Sequence, residues 1–156
     1  MPKVLGKLCR AKVESAADQK LAVLNAVIKL VAGADYSDLT PAQKVAQLVL
    51  IYDNEVCNGG HLQYFHNQGM DHIEELFLAL EEIGAGCQRA VLAKARHYAL
   101  SHPVKRARTL QEYSERARRR EFESFDSSYY GCDPAIGGDL LSAYIEAHLQ
   151  EFIEFE

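Results

Sequence analysis

The chain has 156 residues, 48% of them hydrophobic and 25% charged, and a formal net charge of −5. That length suits one domain burying roughly two-thirds of its unfolded surface. An acidic pI near 5.7 argues against nucleic acid as a direct partner, and no apolar run is long enough to span a bilayer.

The N-terminal stretch MPKVLGKLCRAKVESAADQK carries basic residues but neither a continuous apolar segment nor a small-residue cleavage pattern. The expectation is an untargeted, cytoplasmic protein. Cysteines at 9, 57, 87 and 132 are far apart and form no Cys-x-x-Cys pair, so reduced, buried or half-buried thiols are expected rather than a zinc ribbon or a disulfide scaffold.

Helical periodicity dominates the chain. A first helix is expected to open at Ser15, with Asp18 reaching back, to repeat Leu21, Leu24, Val27, Ile28 and Val31, and to end at Gly33. A second has the strongest start signal: Thr40 as cap, Pro41 at the first helical position and Gln43 completing a capping box. Val45, Leu48, Val49, Tyr52 and Val56 then share a face, and Asn58-Gly59 predicts the stop. A short helix from Gly60 to about Asn67 follows, and after Gly69 another capped by Asp71, which breaks at IGAG. Further helices are expected from Gly86 to about Leu100, from Thr109 to about Phe125, and from about Asp139 to Phe155, with DSSYYGCDPAIGG as a long turn. No stretch alternates with the period of a strand. The fold class is therefore all-α, a single-domain bundle of about six to seven helices. Residues 1–39 are expected to form an N-terminal helix and linker packed on the domain of residues 40–156.

Charge is segregated. Sixteen of the 22 acidic residues lie in two segments without Lys or Arg, one between Lys44 and Arg89 and one from Glu121 to the end. The segment Arg89 to Arg120 holds ten bases. If the fold sets the acidic segments side by side, Glu74, Glu75, Glu81, Glu82, Glu146, Glu151 and Glu154 would give a negative field that attracts basic protein surfaces. The competing expectation is solvated helix faces, with the arginine run paired to the acidic C-terminal helix.

The densest polar stretch is YDNEVCNGGHLQYFHNQG, Tyr52 to Gly69. Glu55 would meet the free N–H groups of the helix beginning near His61, Asn58 would take up carbonyls at the preceding helix end, and Gly60 would let the backbones approach. This describes a structural elbow. It leaves Gln63 and Asn67, four apart on one face with Tyr64 one step round, so a small-molecule-binding or hydrolytic pocket of Glu55, Asn58, Gln63, Tyr64 and Asn67 stays open. His61, His66 and His72 are spaced by five and six, not the three or four that one helix face needs for metal ligands. No metal or cofactor is expected. No catalytic residue is assigned either, since the chain has no nucleophile elbow and no phosphate-cradling glycine loop.

The pattern Glu55-Val56-x-Asn58-Gly59-Gly60-x-x-Gln63-Tyr64-Phe65-x-Asn67-x-Gly69 resembles the hallmark of the DNA-mimic-protein-like domain, a bacterial all-α family. LALEEIGA, FESFDSSYY and YIEAHLQEF extend the resemblance over about residues 40 to 155. His61 stands where that family usually has an aromatic residue, which implies different packing at the turn. The resemblance implies a protein-interaction role rather than catalysis. The partner would be a basic protein surface such as that of a DNA-binding protein, and the assembly a homodimer.

Overall fold

The computed structural model describes residues 3–156, and the fold is mainly helical. After a short strand β1 (Gly6–Leu8) come α1 (Arg10–Glu14) and α2 (Gln19–Gly33), a 3₁₀ turn (Tyr36–Asp38), then α3 (Pro41–Gln68) and α4 (Ile73–Glu82). They are followed by α5 (Gly86–Ser101), α6 (Leu110–Ala117), α7 (Glu123–Tyr130), a π-helical stretch (Ile136–Leu141), α8 (Ser142–Ala147), α9 (Leu149–Phe152) and β2 (Ile153–Phe155).

The central element is α3, against which α2, α4, α7, α9 and the π-helical stretch all pack. Its residues Val49, Tyr52 and Val56 are fully buried, as the apolar spacing of the sequence requires. The helix starts where expected, with Gln43 Oε1 accepting from the Thr40 N–H at 3.0 Å, while the Thr40 hydroxyl has no hydrogen-bond partner. The Gln43 amide then donates to the carbonyls of Lys3 and Glu151, at 2.6 and 2.8 Å. One buried glutamine thus ties the start of α3 to both ends of the chain. Gln47 holds the end of α2 in the same way, donating to the carbonyls of Val31 and Ala34.

Among the described residues there are nine α-helices rather than six to seven, and the differences have local causes. The expected helix from Thr109 to Phe125 is two, because the chain turns at Arg120, a non-glycine residue with φ of 52°. The first five residues of the expected turn DSSYYGCDPAIGG, Asp126 to Tyr130, belong to α7. The expected last helix divides into the π-helical stretch, α8, α9 and β2, whose parallel pairing with β1 sets Gly6 against Ile153 and Leu8 against Phe155. Three-residue strands are too short to show an alternation. The cap of α2 is Asp18, not Ser15, and α4 starts from His72 in a left-handed conformation, with no cap from Asp71.

Two further expectations are corrected. Cys87 and Cys132 form a disulfide across 45 residues, leaving Cys9 and Cys57 free and exposed. Linear spacing gave no sign of it, because the packing of α5 on α7 brings the pair together. Nor does the arginine run pair with the C-terminal helix. Arg116 binds Glu121, and Arg120 lies 4.0 Å from Glu123, while the C-terminal Glu146 pairs with Lys20. The turn at Arg118–Phe122 folds the arginines back on their own neighbours. No helix among the described residues is long and apolar enough to cross a membrane.

Candidate functional site

The polar motif lies where α3 kinks. The helical backbone breaks at Gly59 and Gly60, where the sequence predicts the stop, and a second helical half of α3 runs on from there to Gln68. Gly60 has φ of 72°, and a Cβ there would sit 2.3 Å from Asp126 Oδ2. Glycine is needed both for the left-handed backbone and for the approach of that carboxylate.

Asp126, from α7, takes the part the sequence suggested for Glu55. Its Oδ1 accepts from the His61 backbone N–H at 2.8 Å, at the start of the second half of α3. The same oxygen is 2.7 Å from His61 Nδ1, and His61 Nε2 is 2.7 Å from the Tyr52 hydroxyl. A carboxylate can only accept, so Nδ1 carries the proton, and in the neutral ring Nε2 accepts from Tyr52. Beside this chain the Tyr129 hydroxyl donates to Asp53. Burial, with nearby Tyr64, Asp126 and Asp53, pushes the Tyr52 hydroxyl well above its ordinary range. Burial and the Asp53 carboxylate do the same to Tyr129. The rings of Tyr52, His61 and Tyr129 meet edge to face, 5.5 to 5.9 Å apart. The order carboxylate–imidazole–hydroxyl matches a nucleophilic triad, but His61 and Tyr52 are 0% exposed, so no substrate reaches them.

The outer side of the kink holds the rest of the motif. Asn58 donates to Gln63 Oε1 at 3.1 Å. Asn67 Nδ2 donates to Glu55 Oε2 at 2.7 Å, His66 Nδ1 lies 2.8 Å from Asn67 Oδ1, and the Ala107 N–H reaches His66 Nε2 at 3.0 Å. These three bonds have one consistent assignment. Glu55 accepts, which turns the Asn67 amide nitrogen toward it and its oxygen toward His66; His66 is then protonated on Nδ1 and offers its Nε2 lone pair to Ala107. The chain acts as a latch on the segment between α5 and α6.

Of the five residues expected at a pocket, Glu55, Asn58, Gln63 and Asn67 come together as these two surface pairs. Tyr64 does not join them: it is buried, with its ring against Tyr52 and Phe65. Gln63, His66 and Asn67 line a shallow groove of about 520 Å³ with Arg108, Thr109 and Tyr113. Sequence reasoning missed Asp126 and Ala107 as partners of the motif. The one available signal was Asp126, the second of the two acids in FESFDSSYY, 65 residues from His61. Among the described residues no group of three or more His, Cys, Asp or Glu side chains is placed to hold a metal ion.

The acidic residues lie elsewhere. Glu74 and Glu75 occupy the first turn of α4 and Glu81 and Glu82 its last; all four are exposed. Arg96 binds Glu74 at 2.6 Å. Glu82 accepts from the Tyr144 hydroxyl of α8 at 3.3 Å. That hydroxyl is pushed above its ordinary range by burial first, then by Glu82 and by Glu151. Carboxylates from α4 and α9 therefore act on one phenol, and the end of α4 lies beside the C-terminal segment. Glu146 is exposed and paired with Lys20 at 3.1 Å, and Glu154 is exposed on β2.

The family model described as DMP19-like protein matches residues 37–148. The chain belongs to the DMP19-like protein family. The match runs from the 3₁₀ turn into the end of α8, so both polar chains at the kink fall inside the DMP19-like region, whereas α1, α2 and both strands fall outside it. No curated protein and no solved structure matches the chain.

Proposed function

We propose that this DMP19-like protein is a non-enzymatic, intracellular interaction protein whose carboxylates stand in for DNA phosphates on the basic surface of a DNA-binding protein. The observation that carries this reading is the meeting of α4 and the C-terminal segment at Tyr144. It draws together acids from the two stretches of sequence that lack Lys and Arg. Among the described residues Glu75, Glu81, Glu82, Glu151 and Glu154 make no ion pair with a basic side chain, so their charge remains available to a partner. Glu74 and Glu146 are already paired, with Arg96 and Lys20, and contribute less charge to this reading.

The test is capture of a basic DNA-binding protein by the immobilised chain, with duplex DNA as competitor and salt as variable. Surface electrostatics of this kind weaken steeply with ionic strength. The expected result is capture at low salt that DNA displaces and that the triple variant Glu75→Gln/Glu81→Gln/Glu82→Gln abolishes. Capture indifferent to salt and to that variant would sink the mimic reading. A homodimer belongs to the same proposal, and light scattering of the purified chain checks it.

A second reading places a small polar ligand in the groove beside Gln63 and Asn67. It is supported by the groove itself. It is weakened by the fact that both side chains already satisfy one another's neighbours, Asn58 and Glu55.

A further inference from the structure

The segment between α5 and α6 is pinned at several points. His66 holds the Ala107 N–H, Glu112 Oε2 accepts the Arg108 N–H at 2.7 Å, and the Arg116 guanidinium donates to the carbonyls of His102 and Pro103, both at 3.1 Å. Arg116 also binds Glu121. A stretch without regular structure thus becomes a fixed wall, and between it, α3 and α6 lies a groove of about 360 Å³.

The chemistry of this groove is opposite to that of the chain as a whole. Lys105, Arg106 and Arg119 line it, all three are exposed, and among the described residues none makes an ion pair. Two carboxylates, Glu112 and Glu115, also line it and keep their charge, since their partners are the Arg108 N–H and the Gln111 amide, but the cations outnumber them. The remaining walls are apolar: Leu62, Val104 and the ring of Tyr113. Three cations facing a site with an apolar, partly aromatic wall suit a ligand with several negative charges at one end and a flat apolar body at the other. A purely apolar ligand would leave the cations unused. A bare inorganic anion would leave the Tyr113 wall unused.

We infer that this groove binds a small phosphorylated ligand of nucleotide size, with the phosphates toward Lys105, Arg106 and Arg119 and the ring against Tyr113. The site shares no residue with the acidic surface, so the two proposals fail separately.

Calorimetric titration of the full chain with ATP, pyrophosphate and adenosine tests it, with a single-stranded oligonucleotide as a fourth arm. The expected order is ATP tightest, pyrophosphate weaker and adenosine weakest. Arg106→Glu/Arg119→Glu should weaken ATP by about tenfold or more, since it turns two attractions into repulsions. Arg118→Glu, on an exposed neighbour that does not line the groove, should leave ATP affinity within about twofold. Thermal melts of both variants confirm that the fold is intact. Adenosine binding as well as ATP, or no saturable binding of ATP, overturns the inference. So does an oligonucleotide that outcompetes ATP with a steep salt slope, which would make the groove a nucleic-acid contact instead.

Discussion

The two sides of the kink in α3 use similar chemical parts in different surroundings. On the inner side Asp126, His61 and Tyr52 form a chain in steps of 2.7 Å, with the last two fully buried. On the outer side Glu55, Asn67 and His66 form a chain in steps of 2.7 and 2.8 Å that ends on a backbone N–H, with Asn67 exposed. A buried polar group that loses its partner keeps its full desolvation penalty, whereas an exposed one turns to water. The inner chain is therefore a condition of the fold. The outer chain adjusts how tightly one surface segment is held.

The sharpest way to break this comparison is to remove Asp126. Asp126→Ala leaves the His61 backbone N–H and ring Nδ1 without an acceptor, and a loss of about 3–4 kcal/mol in a urea titration is expected. A loss below about 1 kcal/mol would mean that the inner chain is no more demanding than the outer one. The disulfide probes the same region from the other end of α7, since Cys132 follows that helix closely and anchors it to α5. Reduction frees a 45-residue loop and should lower stability by about 2–4 kcal/mol, read as a fall in melting temperature with reductant. Gly60→Ala is expected to cost about 2 kcal/mol for the positive φ alone. In a double-mutant cycle part of its remaining cost should vanish with Asp126→Ala, because the carboxylate that meets the new Cβ is gone.

On the outer side the strongest anchor is Arg116 to Glu121. Burial alone would raise the Glu121 carboxyl, but the Arg116 guanidinium, the Tyr98 hydroxyl and the charge of Arg119 together hold it below its ordinary value. A depressed carboxyl contributes stability that is present above its unfolded pKa and fades as pH falls through the folded one. Arg116→Gln should flatten that acid limb of the stability curve and cost about 1–2 kcal/mol at neutral pH. An unchanged acid limb would show that the pair is idle.

How much of this the sequence revealed depended on whether the partner was near in the chain. Thr40, Pro41 and Gln43 marked the start of α3 correctly because capping is decided within one helical turn. Gly60 was legible as a backbone necessity, and helical periodicity pointed to the all-α fold class. The partner of the elbow was not legible. Glu55 stood near the free N–H groups in sequence, yet Asp126, brought in by α7, is the residue that reaches them. The disulfide and the strand pairing of β1 with β2 were hidden for the same reason. Tyr64 was misplaced by its polar neighbours, since a helix carries core and surface side chains one step apart. The acidic segments were plain in the sequence, but their contact was not, since it rests on long-range pairs such as Tyr144 with Glu82 and Asp126 with His61.

The smallest expected effect is the most specific to the outer chain. Asn67→Ala should cost about 1 kcal/mol or less, because its partners are within reach of water. Its signature is kinetic: amide exchange at Ala107 should speed up while the exchange of His61, held by Asp126, stays slow. Glu55→Gln refines the point. The wild-type carboxylate forces the orientation of Asn67 and so the Nδ1–H tautomer of His66, which nitrogen NMR reads directly. A glutamine at position 55 can donate as well as accept, so the amide of Asn67 is free to turn and the tautomers should mix. The substitution then loosens Ala107 without removing any side chain from the latch. A His66 tautomer that stays pure in Glu55→Gln would show that Ala107 alone sets it, and Glu55 would revert to a surface acid with a chance neighbour.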